Sequence, residues 1–113
     1  MEFKEYLKVN VEYNKIERAI KKSAEISFNE VVILNAIVET KQKQLSLDFL
    51  KELIDVSYAL IHKYIKHLES ANLISKIRSN EDARKWMIEM DENQLIESQK
   101  ILEKVENVVD RFK

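Results

Sequence analysis

Glycine, proline and cysteine are all absent from this 113-residue chain. Without glycine there is no phosphate-cradling loop of the P-loop or dinucleotide type, because each needs glycines where the backbone approaches phosphate closely. Tight turns that require a positive φ must also be made by other residues. The lack of cysteine excludes a disulfide framework, a thiolate zinc site and a thiol redox sensor. No apolar run reaches the roughly 18 residues needed to cross a bilayer, and no signal-peptide pattern opens the chain. A cytoplasmic protein with no membrane partner is therefore expected. Histidine is scarce, with His62 and His67 alone. They are five residues apart, whereas two histidines that share one zinc on a helix stand four apart. No metal and no cofactor are expected. With so little nucleophilic or metal-binding chemistry no catalytic constellation assembles, and an enzyme is the weakest reading.

What the chain does contain is amphipathic helix. Hydrophobic residues make up 45% and charged residues 35%, the balance of a single globular domain long enough to bury a core unaided. The formal net charge is −1, so the chain as a whole does not advertise a polyanionic partner.

Spacing predicts the elements. A first helix runs from Glu2 to about Glu25, with Tyr6, Tyr13 and Ile20 recurring at heptad intervals and Phe3 and Ile16 alongside. That seam suits packing against another helix. Ser27 and Glu30 form a capping box ahead of Val31, Val32, Ile33, Leu34, Ile37 and Val38, a helix apolar nearly all round and so central to a core. The polar stretch Glu39–Gln44 reads as its end and a connection. A short helix over Leu47–Ile54 turns inward Leu47, Leu50, Leu53 and Ile54. Asp55-Val56-Ser57 makes a turn with Ser57 as N-cap, and a helix over Tyr58–Ser70 buries Ile61, Ile65 and Leu68.

Two short helices joined by a few polar residues have the form of a helix-turn-helix. Strand-like alternation follows in Leu73–Ile77 and Trp86–Met90, joined by the polar Arg78–Lys85 as a hairpin tip. Asp91 and Gln94 cap a last helix whose Leu95, Leu102, Val105, Val109 and Phe112 form a coiled-coil-like seam, with Ile101 and Val108 as a second apolar line. The fold class expected is mainly α: a winged helix-turn-helix with a two-stranded β wing and long N- and C-terminal dimerisation helices. One domain covers 1–113. Its ends, about 1–25 and 92–113, form a homodimer layer through Phe3, Tyr6, Tyr13, Ile20, Leu95, Leu102, Val105, Val109 and Phe112, while about 27–90 hold the helix-turn-helix and wing.

Three local motifs carry a family resemblance. Ile26–Ile37 resembles the second-helix motif of the SarA branch of the MarR regulators, a Ser-Phe-x-Glu opening followed by an apolar run. Ile65–Ile74 resembles the end of a MarR recognition helix, where Leu-Glu precedes a turn and Leu-Ile. Asn80–Arg84 is similar to the family's wing motif, whose core is Asp-x-Arg. The resemblance extends over essentially the whole chain and implies a winged-helix homodimer that regulates genes by binding A·T-rich promoter DNA. It further implies that Arg84 enters the minor groove with Asp82 as its structural companion. Three departures stand out: Asn72 occupies the turn where the family commonly has glycine, the wing is about one residue shorter than the SarA pattern, which leaves the register of Arg84 open, and the cysteine of the family's redox-sensing members is missing.

The partner expected is double-stranded DNA. Ser57, Tyr58, His62, Lys63 and Lys66 lie off the buried stripe of the recognition helix, where they meet phosphates and base edges or else form an ordinary solvated face. In the wing, Arg78, Asp82, Arg84 and Lys85 are the candidates. Arg84 suits a narrow A·T-rich minor groove, where the potential is most negative. Between Ser57 and Trp86 the basic side chains are Lys63, Lys66, Lys76, Arg78, Arg84 and Lys85, against Glu69, Glu81 and Asp82. Positive charge is thus concentrated in the part that would touch DNA. Trp86 and Met87 suit core packing or the lining of a small-molecule pocket, and whether an effector exists is open. Two alternatives share the fold: a winged-helix module for protein–protein interaction, favoured by the near-neutral charge, and a plasmid or phage DNA-binding protein serving replication or partition.

Overall fold

Side-chain oxygens start four of the helices. Ser27 accepts from the backbone N–H of Glu30, Ser46 from Phe49, Ser57 from Leu60 and Asp91 from Gln94, at 2.7–3.4 Å. Each satisfies a donor that the first helical turn leaves without a partner. The computed structural model describes residues 1–40 and 44–112. Among them the order is α1 (Phe3–Ala24), α2 (Phe28–Glu39), β1 (Gln44–Ser46), α3 (Leu47–Ile54), α4 (Tyr58–Ser70), β2 (Ser75–Arg78), β3 (Trp86–Glu89) and α5 (Glu92–Asp110). Both expected capping boxes close: the N–H groups of Ser27 and Asp91 donate to the side chains of Glu30 and Gln94, each at 2.9 Å.

With no glycine available, three helices end on other residues in the left-handed region: Glu25 at φ 62°, Asp55 at φ 52° and Asn72 at φ 59°. For an L-residue that geometry costs on the order of 1 kcal/mol, least for Asn and Asp, whose short polar side chains bond locally.

The core is the expected one except in α3, where Leu53, expected to face inward, is 48% exposed beside Val32 and Phe49, because six residues of helix turn it about 120° away from Leu47. Ile33 and Leu34 of α2, Leu50 of α3, Ile61, Ile65 and Leu68 of α4, and Ile88 of β3 are fully buried together. Helix α2, apolar on most of its circumference, sits centrally and touches α1, α3, α4 and α5. A second, smaller cluster joins α1 to α5 through Ile20, Val105 and Val108.

The hairpin β2–β3 is the expected two-stranded wing, with Arg78 opposite Trp86 and Ser75 opposite Glu89. Two details differ from the sequence reading. The paired part of the first wing strand is Ser75–Arg78 rather than Leu73–Ile77; Leu73 and Ile74 precede the ladder and are buried in the core. The stretch taken as a connection also ends in a third strand, since β1 pairs antiparallel with β3 and sets Leu45 opposite Ile88. Three residues with one buried side chain are too few for alternation to show. The rest of that connection, residues 41–43, lies outside the described residues.

The molecule is elongated, 49 × 29 × 24 Å with a radius of gyration of 15.4 Å, against about 13 Å for a compact chain of this length. The cause is α1, whose residues 3–15 are exposed apart from a half-buried Val9. Among the described residues no helix is long and apolar enough to cross a membrane.

Candidate nucleic-acid interface

Helix α4 buries Ile61, Ile65 and Leu68, which leaves the opposite face outward. Lys63 and Lys66 are exposed on it and Tyr58 is 47% exposed. Ser57 is the N-cap, its hydroxyl accepting from Leu60 at 3.3 Å. Tyr58 is steadied from two sides. The His62 ring lies 6.5 Å away, tilted by 32°, and the Lys51 ammonium stands 5.2 Å over the phenol ring.

His62 links this helix to the wing. The Lys76 ammonium donates to its Nδ1 at 3.2 Å, which requires a neutral imidazole with its lone pair on that nitrogen. Burial and then the neighbouring Lys76 charge hold the His62 pKa below the ordinary histidine value. Lys76 also stands 4.2 Å from the centre of the Trp86 ring, and the Arg78 guanidinium 3.6 Å from it. The backbone N–H of Lys76 donates to Glu69 of α4 at 3.2 Å. The root of the wing is thus fixed to α4 by the Glu69 carboxylate and the His62 imidazole, while Lys76 and Arg78 stand over the wing's own indole.

The wing tip is ordered by two short side chains. Ser79 Oγ accepts from the N–H groups of Glu81 and Asp82 at 3.2 and 3.3 Å, and Ser79 N–H donates to Lys85 O at 2.9 Å. Asp82 Oδ1 accepts from the backbone N–H of Arg84 at 3.0 Å and from its Nε at 3.4 Å. The Arg84 side chain is 92% exposed, so the ion pair adds little stability. Its effect is to aim the guanidinium outward.

The candidates divide into two groups. Tyr58, His62, Arg84 and Lys85 share one concavity of about 250 Å³ with Leu47, Asp48 and Trp86, so the start of α4 and the wing tip open on the same side. Lys63 and Lys66 lie outside that concavity on the exposed face of α4, and Arg78 is stacked on Trp86. Lys76 joins the wing root to α4 through Glu69 and His62. Trp86 packs against the core and lines the concavity, as expected, and also carries both cations on its ring. Pairing across β2–β3 could have revealed this, since Arg78 and Trp86 face each other in the hairpin register. The Lys51–Tyr58 contact had no signal in sequence.

Of the residues expected at a dimer seam, Phe3, Tyr6, Tyr13, Val109 and Phe112 are 40–73% exposed. Leu95 and Leu102 are half-buried. Ile20 and Val105 are buried inside the chain by the contact between α1 and α5. Tyr13, Val109 and Ile20 border an apolar groove of about 350 Å³ together with Ile16 and Phe28.

A helix-turn-helix followed by a hairpin whose tip projects beside the second helix is the winged-helix class of regulator. A family model described as transcriptional regulator SarA/Rot matches residues 15–102, and the chain belongs to that family, which is one of regulators and not of enzymes. Solved structures of MarR-type regulators share the fold. AbsC of Streptomyces coelicolor, a MarR family transcriptional regulator, is 20% identical with a TM-score of 0.81, covering 97% of this chain and 74% of that one. The transcriptional regulator BldR of Sulfolobus solfataricus is 20% identical with a TM-score of 0.73, over 98% and 84%. A mutant of Escherichia coli MarR, solved in complex with operator DNA, is 12% identical with a TM-score of 0.73, over 92% and 76%.

Proposed function

We propose that this SarA/Rot-family regulator binds A·T-rich promoter DNA as a homodimer. The N-terminal half of α4 enters the major groove and the wing reaches the adjacent minor groove. The observation that carries this reading is the common opening of Tyr58, His62, Arg84 and Lys85 on one side of the molecule, with Arg84 almost wholly exposed and held by Asp82. Lys63 and Lys66 extend the positive face and meet phosphate. Residues of about 1–25 and 92–113 supply the dimer layer, which places the two α4 helices roughly 34 Å apart, one turn of DNA. Regulation follows from occupying or bending the promoter, with no bond made or broken.

The test is binding to an A·T-rich duplex across a range of salt, for the native protein and for Arg84→Ala. Affinity should fall steeply with salt as phosphate-bound counterions are displaced. Arg84→Ala should weaken binding by about tenfold or more and lower the preference for A·T-rich over G·C-rich duplex. No binding to that duplex or to a random genomic pool would refute the DNA reading and leave a protein-interaction module.

A further inference from the structure

Where this family commonly ends its recognition helix on glycine, the chain has Asn72, held at φ 59°. Glycine reaches that conformation at lower cost, so the asparagine calls for a reason in its side chain. The structure supplies one. Asn72 Oδ1 accepts from Gln94 Nε2 of α5 at 3.4 Å, and the same Nε2 donates to Ser75 Oγ at the start of the wing at 3.2 Å. Gln94 is 4% exposed, and its Oε1 also accepts from the Asp91 N–H at 2.9 Å. One turn further along α5, Ser98 is fully buried and its hydroxyl donates to Leu73 O at 3.4 Å. Every bond of this group ends either on the α4–β2 junction or on the N-terminus of α5.

We infer that Gln94, with Ser98 and Asn72, is a positioning clamp that fixes the angle between the recognition helix and the C-terminal helix. The buried carboxamide adds direction to the apolar packing there, because a shift of that angle would separate it from its partners. The same carboxamide caps α5 and holds the exit of α4, so the two helices move as one body. The inference rests on the proposed DNA-binding dimer for its consequence: if α5 belongs to the dimer layer, the clamp sets the separation of the two α4 helices and hence the spacing of half-sites the protein accepts.

The experiment uses Asn72→Gly, which keeps the backbone geometry and removes only the acceptor, and Gln94→Met, which keeps the buried volume. Because the chain has no cysteine, spin labels on Ala59→Cys of α4 and Glu103→Cys of α5 are unique. Labelled chain diluted into unlabelled chain reports the distance within one subunit. The clamp predicts one narrow distance distribution in the parent and a broadened or shifted one in both variants, with helix content unchanged. Identical distributions overturn it. On a duplex selected from random sequence by the native protein, changing the half-site spacing by one base pair should weaken native binding about tenfold and Asn72→Gly binding threefold or less. Affinity for an isolated half-site should stay equal. Full spacing discrimination in Asn72→Gly, or an equal loss on the single half-site, refutes the clamp. If the native protein selects no DNA, the DNA reading fails, and the spin-label distances still decide the clamp.

Discussion

The carboxylate of Glu30, only 3% exposed, is in contact with Nδ1 of His67 across the α2–α4 interface. The same carboxylate accepts from the Ser27 N–H at 2.9 Å and the Ser27 hydroxyl at 2.8 Å. One buried acid therefore caps α2 and grips the last turn of the recognition helix. Glu30→Ala removes all of these contacts and should cost about 2 kcal/mol, the sum expected for a lost cap and a buried donor without its partner. His67→Ala should cost about 1 kcal/mol, because Glu30 keeps both Ser27 donors. Urea unfolding measures both. If Glu30→Ala costs no more than the exposed Glu103→Ala, which should stay within about 0.5 kcal/mol, the grip has no energetic content.

His62 gives the molecule a pH dependence of definite sign. Desolvation, and then the Lys76 charge, lowers its pKa in the folded state, so the unfolded chain takes up the proton first. Stability from keeping His62 neutral is complete above the ordinary histidine value near pH 6.5. It is lost as pH falls from there through the folded-state value. Lys76→Met should raise the His62 midpoint seen by NMR, but only part of the way, since burial is the larger cause. A midpoint unmoved by that substitution would show that Lys76 does not act on His62.

Trp86 is the sole tryptophan, so its fluorescence reports directly on the root of the wing. Arg78→Ala and Lys76→Ala each remove a cation from the indole face and should cost about 0.5–1 kcal/mol. The emission should change with each substitution, because the indole loses a charged neighbour and gains solvent. A spectrum that both variants leave unaltered would mean that the stack is not populated in solution. DNA binding at the shared concavity should perturb the same emission.

Much of this architecture is legible in sequence because its signals are local. Ser27 with Glu30, and Asp91 with Gln94, announce helix starts by spacing alone, and both boxes close as expected. The stripe Ile61, Ile65, Leu68 orients α4 with no knowledge of its neighbours. What escapes is set by tertiary register. The pairing of Leu45 with Ile88 joins residues 43 positions apart. The bond from Lys76 to His62 depends on how the wing root lies against α4. Heptad spacing marked Ile20 and Val105 as seam residues, but periodicity does not say which helix a seam meets. Here α1 and α5 of one chain meet each other first.

That intramolecular contact sharpens what a partner would cover. Tyr13 is 60% and Val109 40% exposed, and both border the apolar groove whose floor includes Ile20. A charge at either position costs the single chain little, because its side chain stays in water. In a dimer built on this face the same charge is buried without a counter-ion, which is costly. Tyr13→Glu and Val109→Asp should therefore convert the proposed dimer to a folded monomer of unchanged helix content, read by light scattering and circular dichroism. Val105→Asp should unfold the chain, because that side chain is 7% exposed within a single subunit. A monomer that presents one α4 helix should also bind DNA far more weakly, as it loses the second half-site. A native protein that is monomeric at micromolar concentration would refute the dimer, and a Tyr13→Glu variant that stays dimeric would place the interface elsewhere.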